Sequence, residues 1–162
     1  MSVLINANQV RALLLGIRVK KDAFTLPAST STAMFTVSGR VIVTSLIGEV
    51  TTAVQAQACD LNVTINPTGA GAAADLVAAT EINGDAVGTF YSVSGIQAAL
   101  LGTQKEGGTE APTHALAKMP IGGGFMVPAG SILLKTAATN TGATSWTLTY
   151  IPYDDGAAVA AA

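Results

Sequence analysis

"SWTLTYIPY", residues 145–153, alternates without a break: Trp146, Leu148 and Tyr150 fall on one parity, Thr147 and Thr149 on the other. Successive side chains of a strand point to opposite faces, so this is a half-buried strand with an apolar inner face. Pro152 lacks an amide hydrogen and ends the strand or marks an edge. Upstream, "MVPAGSILLKTAA" (126–138) places Pro128-Ala129-Gly130 as a turn that feeds a strand over Ile132–Thr136. "TNTGATS" (139–145) reads as the hairpin connection between the two.

The same chemistry runs through the middle of the chain. In "MFTVSGRVIVTSLIGEV" (34–50) β-branched residues crowd together, and Gly39 suggests a bulge or tight bend. Both parities of residues 41–50 are largely apolar, which predicts a strand covered on both sides or one that covers a partner. Val50–Ala58, Leu61–Ile65, Leu76–Ala79 and Val87–Val93 read as further strands, with a tight turn at Asn83-Gly84-Asp85. Ile96–Leu101 reads as one helical turn. About eight short strands, with turn signals about every 8–15 residues, predict an all-β chain folded as an antiparallel β-sandwich. A jelly roll is the first choice among sandwiches, because two four-strand sheets suit that count.

The ends look different. "GIRVKKDAFTL" (16–26) alternates apolar and charged residues like a strand, but residues 1–30 as a whole read as an N-terminal arm, 31–153 as the sandwich and 154–162 as a C-terminal tail. An Ala-rich tail, "DDGAAVAAA", is ordered only where something ties it down, and another chain is expected to do so.

Composition limits function. Charged residues make up 11% of the 162-residue chain, against about 25% in an average soluble domain. Surfaces so poor in charge are commonly covered by a partner, so an obligate assembly is expected. There is one histidine, His114, with no metal-ligand or triad spacing around it. General acid–base chemistry needs tuned titratable groups, so no enzyme, no metal and no cofactor is expected. Asp154-Asp155 is read as a solvated pair rather than a cation site. Cys59 is the single cysteine and reads as a small buried hydrophobe. No apolar run is long enough to span a membrane, and "MSVLINANQVRALLLGIRVKK" is not a secretory signal, so synthesis in a cytoplasm is expected.

Residues 1–40 hold Arg11, Arg18, Lys20, Lys21 and Arg40 against Asp22, a balance of +4, and residues 41–162 hold three bases and nine acids, −6, for the net −2. A basic leading segment suits an acidic protein surface, and Arg11, Arg18, Lys20 and Lys21 are the predicted partner contacts. A sequence pI near 5.1 with no aromatic residue among these bases argues against direct nucleic-acid binding.

"SLIGEVTTAVQAQACDLNVTINPTGAGAAADLVAATEINGDAVGTFYSVSG", followed by "MVPAGSILLKTAATNTGATSWTLTYIPYDDGAAVAAA", resembles small virion proteins of tailed bacteriophages, across about residues 34–162. The resemblance implies a capsid decoration, or cement, protein: a jelly-roll module, often a trimer, that clamps neighbouring major capsid proteins on the capsid surface of the virion. A tail or fibre component, or a sandwich that binds host or sugar, is the alternative. The family carries no active-site residue to this chain.

Overall fold

The computed structural model describes residues 16–69, 71–93 and 124–162. In chain order the strands are β1 (Ile17–Thr25), β2 (Ser31–Ser38), β3 (Val41–Thr52), β4 (Asp60–Pro67), β5 (Ala74–Asp75), β6 (Thr80–Glu81), β7 (Phe90–Ser92), β8 (Phe125–Val127), β9 (Gly130–Thr136), β10 (Ala143–Pro152) and β11 (Ala158–Ala161). No helix occurs among the described residues. The first sheet runs β1-β10-β3-β7, with β8 also on β3; the second runs β11-β2-β9-β4-β5, with β6 also on β4. Every pairing is antiparallel. The chain is an all-β antiparallel sandwich, as its alternation predicts.

β10 is the strand on which the first sheet is registered. Trp146, Leu148 and Tyr150 are buried between the sheets, and each such apolar side chain contributes about 1.5–3 kcal/mol. From the second sheet Phe35, Val37, Ile132, Leu134, Leu61, Val63 and Ile65 complete the core. Trp146 pairs with Gly48 on β3, which pairs in turn with Tyr91 on β7. A Cβ on Gly48 would lie 2.7 Å from the indole ring, so the ring occupies the space a side chain would take. Tyr91 stacks on Trp146 with centroids 6.4 Å apart, and the indole Nε1 donates to the Thr144 hydroxyl at 3.0 Å.

The two apolar parities of β3 have a different cause from the one expected. Thr149 pairs with Ser45 but Tyr150 with Val43, so Thr44 is an extra residue in β3. This β-bulge reverses the parity along the strand. Val41 and Val43 face the core before it, and Leu46, Gly48 and Val50 after it. One face of β3 is buried, by two parities in succession. A similar irregularity in β2 makes Met34 the extra residue between Ala33 and Phe35.

Three expectations about elements are corrected. Residues 139–145 are not a hairpin, because β9 and β10 lie in different sheets; the segment crosses the sandwich. Buried Asn140 holds that crossing, its Oδ1 accepting from the N–H groups of Gln55 (2.9 Å) and Gly142 (3.0 Å). Leu76–Ala79 is not a strand: Leu76 and Val77 are both buried, and two successive inward side chains break the period of two. The strand expected to reach Ala58 ends as β3 at Thr52.

The domain limits also move outward. Residues 17–25, expected in an arm, form β1 on β10 from Ile17↔Tyr150 to Thr25↔Ala143. Residues 158–161, expected in a tail, form β11 on β2. The Ala-rich end is tied down by its own sheet rather than by another chain. Lys21 Nζ donates to the backbone oxygen of Ala162, which places β1 and β11 along the same side of the sandwich. Residues 1–15 and Ile96–Leu101 lie outside the described residues.

Replacing Gly48 with alanine should force the indole aside. Overpacking of this kind costs about 1–3 kcal/mol, so the urea midpoint of Gly48→Ala should fall while Ser45→Ala, on the outer face of the same strand, leaves it near wild type. Equal midpoints for both variants would remove the close approach from the account of the fold.

Candidate interaction surface

The bulge in β3 decides what the first sheet shows to solvent. With Leu46, Gly48 and Val50 turned inward, Ile47 and Glu49 turn out. Directly paired residues share a face. Ile47 therefore lies in a row with Lys20, Thr147 and Ser92, and Glu49 in a row with Ser145 and Phe90. Arg18, Thr149 and Ser45 form the next row, and Ile151, Ile42 and Met126 the one beyond. Phe90 is 67% exposed, Ile151 42% and Ile47 41%. Ile42 and Met126 are half-buried.

This face alternates large apolar side chains with Ser and Thr hydroxyls, and its acids are Glu49 and, at the β1 edge, Asp22. Hydroxyls satisfy water in the free protein and are cheaper to desolvate than charges. Among the described residues it is the outer face with the largest exposed apolar side chains, since the second sheet presents chiefly Thr36, Ser38, Thr64, Asn66 and Lys135.

The predicted contact residues separate. Arg18 and Lys20 stand on this face, along β1. Lys20 pairs with Asp22 at 3.4 Å, both exposed, a pair worth little in water. Lys21 has the inward parity and is half-buried; its ammonium lies 5.7 Å from the Phe24 ring and bonds Ala162. It fastens the two sheets to each other. Arg11 and His114 lie outside the described residues. Ile47 and Phe90 were not singled out by sequence reasoning, although Glu49, at the parity of Ile47, carries the signal: a charge there marks that parity as outward.

A second cluster sits at the corner between β2 and β3. Gly39, with φ of 72°, turns the chain so that Arg40 reaches Asp154 in the link between β10 and β11. The Arg40 backbone N–H donates to Asp154 Oδ2 (2.8 Å), and Nη2 to Oδ1 (2.7 Å). The guanidinium also lies 4.9 Å from the Tyr153 ring centroid. Hydrogen bonds from the Arg40 side chain, then from its backbone, hold the Asp154 carboxyl below the ordinary carboxylate range. Asp154 is thereby committed to an ion pair, and among the described residues no group of three or more His, Cys, Asp or Glu side chains could hold a metal. Cys59 is buried, with Sγ 3.6 Å from the Ala138 oxygen, in the place of a small hydrophobe. Among the described residues no helix is long and apolar enough to cross a membrane.

No protein-family model, curated protein or solved structure matches the chain.

The Arg40–Asp154 corner sets an acid dependence. A carboxyl whose folded pKa is depressed stabilises the fold above its unfolded value, about 3.9, and that stability is lost as pH falls through the folded value. Asp154→Asn should therefore lower stability at neutral pH and flatten the acid limb below about pH 4. Thermal melts of wild type and variant across that range check this; parallel acid limbs would show that the carboxylate is not linked to folding.

Proposed function

We propose that the chain is a structural virion protein: a capsid decoration, or cement, protein, made in the host cytoplasm, that sits on the outside of a phage head and ties neighbouring major capsid proteins together as a trimer. The observation that carries this reading is the outer face of the first sheet. Ile47, Phe90 and Ile151 stand exposed among hydroxyls, flanked by Arg18 and Lys20, on a chain with 11% charged residues. Such a face buries apolar area and desolvates few charges when it meets a protein.

The winding supports the same reading. β4 pairs with β9, β3 with β10 and β2 with β11. These nested pairs alternate between the sheets, as in a ribbon folded on itself, and this is the sense in which the sandwich is read as a jelly roll. The resemblance across about residues 34–162 to phage virion proteins points the same way.

No chemistry is assigned to the protein on this reading. Whatever binds only the assembled shell stabilises it by mass action. A trimer that engages several capsid proteins at once multiplies a weak contact through effective concentration. Each contact can then be modest while the shell as a whole gains.

Heating particles with and without the protein tests this. Decorated shells should retain DNA to higher temperature. Phe90→Asp and Ile47→Asp, each folded by circular dichroism, should lower affinity for the particle by at least about tenfold, about 1.4 kcal/mol. Equal heat survival of bare and fully occupied shells would overturn the cement role. Density along the tail in negative stain would favour the alternative location.

A further inference from the structure

Charge is opposite in sign on the two sides of the sandwich. β1 is the open edge of the first sheet and carries Arg18 and Lys20, both exposed. The far side of the second sheet, formed by β4 with β5 and β6, carries Asp60, Asp75 and Glu81, all exposed. Because β1 lies beside β11, and the second sheet runs β11-β2-β9-β4-β5, the two sides are about four strand spacings apart, roughly 19 Å. The link from β6 to β7 joins the sheets on the acidic side.

Among the described residues, no ion pair neutralises the acidic side. Asp60 and Glu81 are directly paired across β4 and β6, and like charges so placed repel; Glu81 Oε1 accepts from the N–H groups of Cys59 (2.8 Å) and Asn83 (3.2 Å), which leaves Asp60 and Asp75 as the carboxylates without such support. Lys135, on β9 opposite Asn62, is diagonal to Asp60. Yet the ion pairs among the described residues are Lys20–Asp22 and Arg40–Asp154; none includes Asp60, Asp75, Glu81 or Lys135. On the basic side, the exposed Lys20–Asp22 pair gives up little when exchanged for another partner.

We propose that a second copy of this chain supplies the missing cations: the β1 side of one molecule docks against the β4–β6 side of the next. A second copy is the occupant because each chain carries both complementary halves, far enough apart that they cannot meet within one molecule. The alternative self-contact, β1 against β1, would place Arg18 and Lys20 against themselves. A contact between unlike surfaces is heterologous, so it closes into a ring or grows as a filament. A ring of three is the trimer of the proposed function, and the inference deepens that reading by naming the two surfaces that meet.

The test uses purified protein and no particle, so its outcome is independent of the particle experiment. Three variants are compared by light scattering: Arg18→Glu with Lys20→Glu, Asp60→Lys with Asp75→Lys, and all four together. The first two should be monomers that melt near the wild-type temperature. The third, with both sides reversed, should recover the wild-type assembly. Raising salt from about 0.05 M to about 1 M, which shortens the screening length to ~3 Å, should dissociate wild type. Should a reversed variant fail to fold, Arg18→Gln with Lys20→Gln serves in its place and should also be monomeric. A monomeric wild type at low salt overturns the proposal. So does a full-mass assembly in any variant reversed or neutralised on one side, or a folded fourfold variant that stays monomeric.

Discussion

The indole of Trp146 can lie across its neighbouring strand only because residue 48 has no side chain, and the rest of the first sheet is arranged around that contact. Lys21, Trp146, Gly48 and Tyr91 form one continuous row from β1 to β7. The largest fully buried side chain thus sits at the smallest possible cross-strand partner, and Tyr91 stacks from the next strand. Tyr91 is itself fixed by its hydroxyl, which donates to Asp85 at 2.7 Å; burial first, then this bond, pushes the phenol pKa upward. The Asn83-Gly84-Asp85 turn is thereby linked to the core, because Asp85 also accepts from Val54 N–H through its backbone oxygen at 2.9 Å.

Fixing β10 and β3 in this register makes the bulge at Thr44 necessary. Val41 and Val43 must face inward with Leu46 and Val50, and a strand of strict period two cannot bury both sets on one side. One extra residue reconciles them. The same residue turns Ile47 outward, so the face on which the functional reading rests follows from the packing rather than standing beside it.

Legibility in the sequence followed the range of the signal. β10 was readable because its alternation is uninterrupted and local. β3 was readable as a strand, but its bulge was not, because two apolar parities in series and two at once give the same string. Residues 139–145 read as a hairpin because Asn140 and Gly142 supply the turn chemistry either connection needs; which sheet receives the next strand is a long-range fact. β1 and β11 were assigned to an arm and a tail because their partners, β10 and β2, are more than a hundred residues away in the chain. Of the candidate site, the outward charges Arg18 and Lys20 were legible by alternation, while the half-burial of Lys21 and its bond to Ala162 were not, because proximity to a basic run says nothing about parity.

The edges complete the argument. β11, "AVAA", is an edge strand with no charge and no proline of its own, the kind of edge that invites pairing with another strand. It is four residues long, and β1 lies beside it with Arg18 and Lys20 exposed and an irregular register between Lys21 and Phe24. Lys21 spans the gap to Ala162. A strand approaching β11 would have to desolvate those cations without pairing them, which is costly. A partner that brought carboxylates instead of a bare strand would offset that desolvation with ion pairs. Protection of β11 against indiscriminate sheet extension therefore follows from where β1 lies beside it.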